Sequence, residues 1–570
     1  MVKEEIKNLI EKAIKKIPSI FIIFKKEVRN FLVEPSKEKR HGDYSTGLAL
    51  VLAKKLQKNP MEIADQIVKE INANILKDIG PNKKFLEKIE AVPPGFINFH
   101  LSKEFFIKSI KEILKSRGLA KNNDLKGQKV IIEYTDPNPF KEFHIGHLMS
   151  NIIGESIARI LEFQGAKVKR ANYQGDVGIH VAKAVFGKIK NLGRSWQDGY
   201  VFGSEKYEKD EKAKKEIISL NKKIFERSDK NINKIYDQGK KESLENFENI
   251  YKKLGTKFDY YFFESKAADI GKKIVKDNLV KIFEKGKNKT IIFKGEKWGL
   301  HTRVFINSEG LPTYEAKELG LAKIKYKKYK YNKSIIVTGN EVNEYFKVLL
   351  KAMANIFPEL AEKTRHIGHG MMRLPRGKMS SRTGNVVTFE FLLNEVENLV
   401  KEKIKIRDLS EKEKKEIKEK VAIGALKYSI LKQSIGNDII YDFKKSISFE
   451  GDSGPYLQYS YTRANSVLEK AKKERIKASL KNSPAQITQL EKIIHHFPEI
   501  VGRVGQEYEP HHIVLYLTEL ARDFNSYYGK NKIVDKNDQF SPYKVALTET
   551  FSMIMKNGLW LLGIPVLNKM

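Results

Sequence analysis

The segment Phe143-His144-Ile145-Gly146-His147 sets two imidazoles three residues apart around a glycine. Lacking a Cβ, Gly146 would let a nucleotide approach the backbone closely. Imidazoles flanking a helix start would add donors where unpaired N–H groups and the helix dipole already favour phosphate. Alone, so short a match is a weak signal, and histidines in a loop are more often structural; its position between a buried strand and a helix raises the odds of the chemical reading without settling it. A second segment, Gly377-Lys378-Met379-Ser380-Ser381-Arg382-Thr383-Gly384-Asn385, reads plainly as a surface loop with two cations. Its small residues and paired glycines also suit a loop whose Lys378 closes over a triphosphate.

Elements must hold these groups. The run Lys129-Val130-Ile131-Ile132-Glu133-Tyr134 is short, β-branched and largely apolar, as a buried parallel strand requires. A loop with two prolines follows, then helical periodicity from Leu148 to Phe163, stopped by Gly165. Strand, loop and helix in that order open a doubly wound α/β domain, in which ligands bind beyond the strand ends. Further strand-like runs lie at Thr290–Phe293 and Ser334–Thr338, separated from the first by a charged, helix-like insertion around 190–260. Before residue 115 the pattern is that of a small mixed domain, with an Ala/Leu-rich helix from Leu48 and an alternating strand at Gly95–Leu101. After about 400 it is helical almost to the end, which predicts a separate all-α domain.

The 570 residues carry 106 Lys+Arg against 71 Asp+Glu, a net charge of +35, and a 41% hydrophobic fraction that excludes a disordered or fibrous chain. Such charge suits a polyanionic partner, although lysines scattered through every segment would give the same total by compositional bias. There is no cysteine, so disulfides, cysteine-ligated zinc and thiol nucleophiles are excluded. The amphipathic N-terminus lacks a signal-peptide core and no apolar run could span a bilayer, so a soluble cytoplasmic protein without a membrane partner is expected.

In this order and spacing, the two motifs resemble the HIGH and KMSKS signatures of class I aminoacyl-tRNA synthetases. Their surroundings resemble the arginyl-tRNA synthetases through essentially the whole chain: Ile132–Phe143 leading into the first motif, Asn172–Gly178, Ser448–Tyr459, and the ending Leu562–Met570. His41-Gly42-Asp43-Tyr44 and Phe96-Ile97-Asn98-Phe99 match that family's tRNA-elbow domain. The resemblance implies a Rossmann-like doubly wound catalytic domain, a small α+β N-terminal domain and an all-α anticodon-binding domain. The boundaries expected are 1–115, 116–400, a helical connection over 401–453, and 454–570. It implies ligation of L-arginine to tRNA(Arg) with ATP and Mg2+ as co-substrate, through an arginyl-adenylate, with tRNA bound before the adenylate forms. No structural metal is expected, and a monomer is.

The site residues follow from the same resemblance. His144, Gly146, His147, Met372, Lys378, Met379 and Ser380 would bind ATP, with Lys141 and Lys378 clamping phosphate. Glu133 and Asn138 would hold the substrate's ammonium and carboxylate. Glu264, Tyr314 and Glu318 would hold the guanidinium, whose five planar donors call for carboxylates and a hydroxyl in fixed geometry. Asp43, Tyr44, Tyr456, Tyr459, Arg463 and Met570 would meet tRNA. The chain departs from the family at five positions: Ser381 replaces the second KMSKS lysine, Glu318 an aspartate, Lys317 an arginine, and Val177 and His180 a tryptophan and a glutamine of the expected site floor. Another class I synthetase or a non-catalytic tRNA-binding paralogue are the alternatives; the paired histidines 495–496 and 511–512, without acidic partners at helical spacing, read as structural or exposed.

Overall fold

The computed structural model describes residues 2–27, 31–36, 41–75, 85–116, 123–190, 195–374, 387–405 and 407–570. The chain divides into two compact units. One comprises Met1–Ala120, Arg463–Glu499 and Leu520–Ile554; the other comprises Lys121–Thr462, Ile500–Glu519 and Met555–Met570.

In the first unit, the helix Val2–Lys15 buries Ile6, Leu9, Ile10, Ala13 and Ile14, the three-and-four spacing of one helix face. They share a core with Leu48, Leu52, Ile63, Ile67, Ile97 and Phe99. An antiparallel sheet runs in spatial order Glu34–Pro35, Tyr44–Thr46, Phe96–Leu101, Leu86–Val92. The helix Pro60–Glu70 starts where local chemistry dictates: Pro60 occupies its first turn and Asn59 Oδ1 accepts the Met61 N–H at 2.8 Å.

The second unit is built on five parallel strands in spatial order Thr364–His369, Lys333–Gly339, Lys129–Glu133, Lys167–Gln174, Tyr260–Phe263. Numbered along the chain this is the 5-4-1-2-3 order of a doubly wound sheet, whose direction of winding reverses between Lys129–Glu133 and Lys333–Gly339. Val130, Ile131 and Ile132 are buried, as a central strand covered on both faces must be. Three helices, Trp196–Lys209, Glu211–Glu226 and Lys230–Leu254, form the charged insertion between the second and third strands. A small antiparallel sheet of Glu284–Lys285, Ile291–Phe293 and Arg303–Ile306 lies between the third and fourth.

The helix expected from Leu148 begins one turn earlier, at Ile145, because the His144 imidazole caps it. Farther along the same helix, Ser156 Oγ donates to the Leu561 carbonyl at 2.9 Å, and Arg159 donates to the carbonyls of Trp560 and Gly255 at 3.0 and 2.8 Å. Lys427 Nζ, fully buried, donates to the carbonyls of Gly563 and Leu254 at 2.6 Å each. Arg159 and Lys427 thus satisfy the open carbonyls at the ends of the helices Lys230–Leu254 and Ser541–Leu561, and burial beside Arg159 pushes Lys427 down to about 7. Beyond residue 400 the regular elements among the described residues are helices joined by loops, with one short strand, Ile439–Ile440, which pairs with Met372–Arg373. Among the described residues no helix is long and apolar enough to cross a membrane.

Candidate active site

A cavity of about 760 Å³ opens at the carboxyl ends of the parallel strands, where the winding reverses. The turn leaving the first strand is held in unusual backbone conformations. Thr135, Asp136 and Phe140 have φ of 83°, 45° and 71°, a region that costs a side-chain-bearing residue about 1–3 kcal/mol. Each is pinned by side-chain hydrogen bonds. Thr135 N–H donates to Ser150 Oγ at 2.9 Å, Asp136 Oδ1 accepts the Tyr173 N–H at 2.7 Å, and Phe140 N–H donates to Ser243 Oγ at 2.9 Å. Gly175 faces this turn; a Cβ there would collide with Asn138 Oδ1, so the close approach requires glycine.

His144 and His147 enclose the first helical turn. His144 Nδ1 accepts the Gly146 N–H at 3.1 Å, His147 Nδ1 accepts the His144 N–H at 3.4 Å, and the two rings stack 3.6 Å apart. Burial, with the Lys141 charge nearby, pushes His144 down to about 4. Burial and the neighbouring His144 take His147 well below the usual range. Both rings are therefore neutral at pH 7. With Nδ1 accepting, each carries its proton on Nε2, a donor suited to a phosphate oxygen. The segment after residue 386 docks against them: Ile145 N–H donates to the Val387 carbonyl at 3.1 Å and Phe389 N–H to the Phe143 carbonyl at 3.0 Å.

The opposite wall is acidic. Glu133 pairs with Lys325 at 2.9 Å, both side chains 2% exposed, and Glu264 pairs with Lys317 at 2.6 Å. Glu315 lies 3.5 Å from Arg303. Among the described residues Glu318 forms no ion pair, and burial together with Glu133 pushes it up to about 8 against the pull of Lys325. Burial and Glu133 likewise hold Asp136 well above the carboxylate range. Like charges so close in a low dielectric cannot all ionise without a compensating cation.

Of the residues singled out from sequence, Glu133, Asn138, His144, Gly146, His147, Glu264, Tyr314, Glu318 and Met372 line this one cavity. Lys141 does not line it; its ammonium sits 4.2 Å above the Tyr200 ring. Lys378, Met379 and Ser380 lie outside the described residues. Val177 and His180 are not the floor of the site. Val177 packs in the core beneath the inserted helices, and His180 Nε2 donates to the Gly175 carbonyl at 2.8 Å.

In the first unit Asp43 and Tyr44, expected to meet tRNA, are both buried and engaged within the protein. Asp43 accepts the Leu101 N–H and pairs with Lys492, both at 2.8 Å, and Tyr44 donates to Glu499 at 2.9 Å. Tyr456, Tyr459 and Arg463 are half-buried along the helix Gly454–Lys473, with Arg463 donating to Asn525 Oδ1 at 2.6 Å; Met570 is also half-buried. The paired histidines do have acidic partners. His511 and His512 lie 2.9 Å from Glu509 and Glu507 respectively, and His496 lies 3.9 Å from Glu499, three residues on.

Sequence reasoning assigned no role to Asp136, Tyr173, Arg303 and His369, which also line the cavity, or to Lys325, which neutralises Glu133; the stretch Thr338–Glu341, where the resemblance implies a substrate-binding glutamine, lines it through Thr338, Gly339 and Glu341. Lys325 had a signal: it falls seven residues after Glu318, two turns along the same helix face.

Residues 109–443 match the family described as tRNA synthetases class I (R), catalytic domain. Residues 4–101 match the arginyl tRNA synthetase N terminal domain and residues 457–570 the DALR anticodon binding domain. The arginine–tRNA ligase of Fusobacterium nucleatum is 32% identical over 580 residues, covering 96% of this chain and 98% of its own. That of Clostridium botulinum strain Langeland is 30% identical over 587 residues, covering 99% and 100%. The solved structure of Thermus thermophilus arginyl-tRNA synthetase aligns over the full length of both chains, with a TM-score of 0.74 at 24% identity.

Proposed function

The chain belongs to the class I arginyl-tRNA synthetases, and from that premise we propose that its cavity joins L-arginine to ATP and passes the arginyl group to tRNA(Arg). One observation carries the reading: a single cavity offers neutral imidazole donors on one wall and a cluster of carboxylates on the other. The first suits a triphosphate and the second a guanidinium.

In the first step an arginine carboxylate oxygen attacks the α-phosphorus of ATP, a P–O bond forms, and pyrophosphate leaves. The Nε2–H groups of His144 and His147 donate to phosphate oxygens as charge develops, and Gly146 lets the nucleotide lie against the helix start. Lys378, with Met379 and Ser380 beside it, and Lys141 supply positive charge to the leaving group, while Met372 borders the nucleotide. Mg2+ would accompany ATP as part of the substrate and would offset phosphate charge. Glu133 and Asn138 orient the α-ammonium and carboxylate, and Glu264, Tyr314 and Glu318 receive the guanidinium. In the second step a hydroxyl oxygen of the terminal tRNA ribose attacks the adenylate carbonyl, its proton departs, and AMP leaves. Positioning and charge neutralisation supply the catalysis. Tyr456, Tyr459, Arg463 and Met570 are the proposed tRNA contacts of the helical C-terminal region, where aromatic rings and arginine planes can support unstacked bases.

Arginine-dependent ATP–pyrophosphate exchange, with and without tRNA(Arg), tests this. Exchange that needs arginine and tRNA is expected. Exchange driven equally by lysine would overturn the assignment, since lysine leaves the carboxylates without their planar donors.

A further inference from the structure

The loop after the second strand carries a fully buried carboxylate that the mechanism above does not use. Asp176 is 0% exposed and gathers four donors from two elements. From the inserted helix Lys230–Leu254 come the Lys240 ammonium at 2.6 Å and the Tyr236 hydroxyl at 3.1 Å. From the helix Glu264–Asp277 come the Ser265 backbone N–H at 2.9 Å and the Ser265 hydroxyl at 2.7 Å. That second helix has Phe263 at its N-cap, which can offer no side-chain cap, and Glu264 as its first residue. Asp176 therefore stands in for the missing cap, accepting an otherwise open N–H of the first turn. Lys240 also lies 3.8 Å from the centre of the Phe263 ring, so its charge rests between the carboxylate and the residue preceding Glu264.

Adjacent Gly175 is fixed in turn by His180, and Glu264 Oε1 lies 3.4 Å from where a Gly175 Cβ would be. The other oxygen, Oε2, is held by Lys317. Glu264 thus enters the cavity from a helix start whose position is set by one buried acid and one lysine of the insertion.

We propose that Asp176 and Lys240 are positioning residues for arginine: through Ser265 and Phe263 they fix the helix start that aims Glu264, and so connect the inserted helices to the guanidinium side of the cavity. This rests on the reading of Glu264 as a guanidinium ligand. Among the described residues Asp176, Lys240 and Ser265 make no hydrogen bond or ion pair with His144 or His147, although the same inserted helix also holds Phe140 through Ser243, so arginine should respond more strongly than ATP.

The test is steady-state aminoacylation by the full chain, varying arginine and ATP separately, with Lys240→Gln, Lys240→Arg, Ser265→Ala and Glu264→Gln. Displacing a ligand by a fraction of an ångström to an ångström is expected to raise the arginine KM by about tenfold to a hundredfold in Lys240→Gln. The same direction, with a smaller change, is expected for Ser265→Ala. In both, the ATP KM stays within about twofold, the split expected when only one substrate's binding is lost. Lys240→Arg, which restores the cation, should return the arginine KM toward that of the native chain. If Lys240→Gln and Ser265→Ala leave the arginine KM unchanged, or raise both KM values equally, while Glu264→Gln raises it alone, the positioning proposal fails and the reading of Glu264 stands. If Glu264→Gln itself leaves the arginine KM unchanged, both fail. Thermal melting of each variant separates these results from a chain that has lost its fold.

Discussion

Glu318 is one of the carboxylates proposed to receive the guanidinium, and it lines the cavity. Facing Glu133, Asp136, Glu264 and Glu315, with Lys325 already paired to Glu133 and Lys317 to Glu264, it is pushed up to about 8 and holds its proton at pH 7 while the cavity is empty. A guanidinium binds the ionised form, so arginine binding would release a proton. The sign follows: below about pH 8 the arginine KM should fall as pH rises, by at most about tenfold per unit for one proton, and level off above it. Glu318→Gln should weaken arginine binding and flatten the profile. A pH-independent KM in the native chain would exclude proton release. Stability runs oppositely, because the folded, empty protein binds more protons than the unfolded chain between the ordinary glutamate range and about 8. It should lose stability as pH rises through that window, and Glu318→Gln should melt higher than the native chain at pH 8 to 9. Lys141 gives a separate test. Its ammonium, above Tyr200, is near enough to depress both histidines, yet it is not among the lining residues. If it swings toward the phosphates in place of the lysine that Ser381 replaces, Lys141→Ala should slow adenylate formation by about tenfold to a thousandfold, as loss of one charge-assisted contact does. ATP should still bind, as equilibrium nucleotide binding would show. Unchanged single-turnover adenylate formation would exclude the role.

At the scale of elements, the helix Tyr314–Lys328 organises the acidic wall: Tyr314, Glu315 and Glu318 line the cavity, and Lys317 and Lys325 anchor the helix to Glu264 and Glu133. Buried pairs of this kind contribute little against an apolar substitute, but removing one partner strands the other charge. Lys325→Met is therefore expected to cost about 3–5 kcal/mol, read as a lowered urea midpoint. Lys325→Met with Glu133→Gln should recover part of the loss, and a single variant as stable as the native chain would refute the argument. The strand Lys129–Glu133 and the body of the helix Ile145–Phe163 were legible from a β-branched run and from periodicity, because each pattern is written within a few turns of chain. The pairing of Glu133 with Lys325 was not, since it joins residues 192 apart and leaves no local mark. The start of the helix at Ile145 was missed because histidine is not among the usual caps, and it caps here only by turning Nδ1 inward. Asp43 and Tyr44 look like surface residues in a polar turn; their burial depends on Lys492 and Glu499, more than 400 residues on.

For the molecule as a whole, the open question is how much of the +35 charge meets RNA. Many lysines are already paired with local acids, as Lys169 is with Asp259, Lys294 with Glu284 and Lys418 with Glu397. Such pairs are already cancelled in the net figure of +35, and the cations left in excess are scattered through every segment, so the total does not count those that meet phosphate. The fold legible in the sequence, a doubly wound domain with helical and mixed neighbours, names the regions without counting their cations. Counterion release does count them. Each phosphate neutralised on a duplex frees bound cations, so the logarithm of tRNA affinity falls with the logarithm of salt by about 0.9 per contact. An interface making about 6–10 such contacts gives a slope near −5 to −9 and a loss of about 10³–10⁵ in affinity between 50 and 200 mM salt. That range is expected here, well short of what all 35 excess charges would give. Filter binding of tRNA(Arg) across that salt range measures the slope. A value near zero would make the charge a lysine bias unrelated to tRNA. A value in the expected range, lowered by about one unit for each contacting lysine changed to glutamine, would map the interface cation by cation.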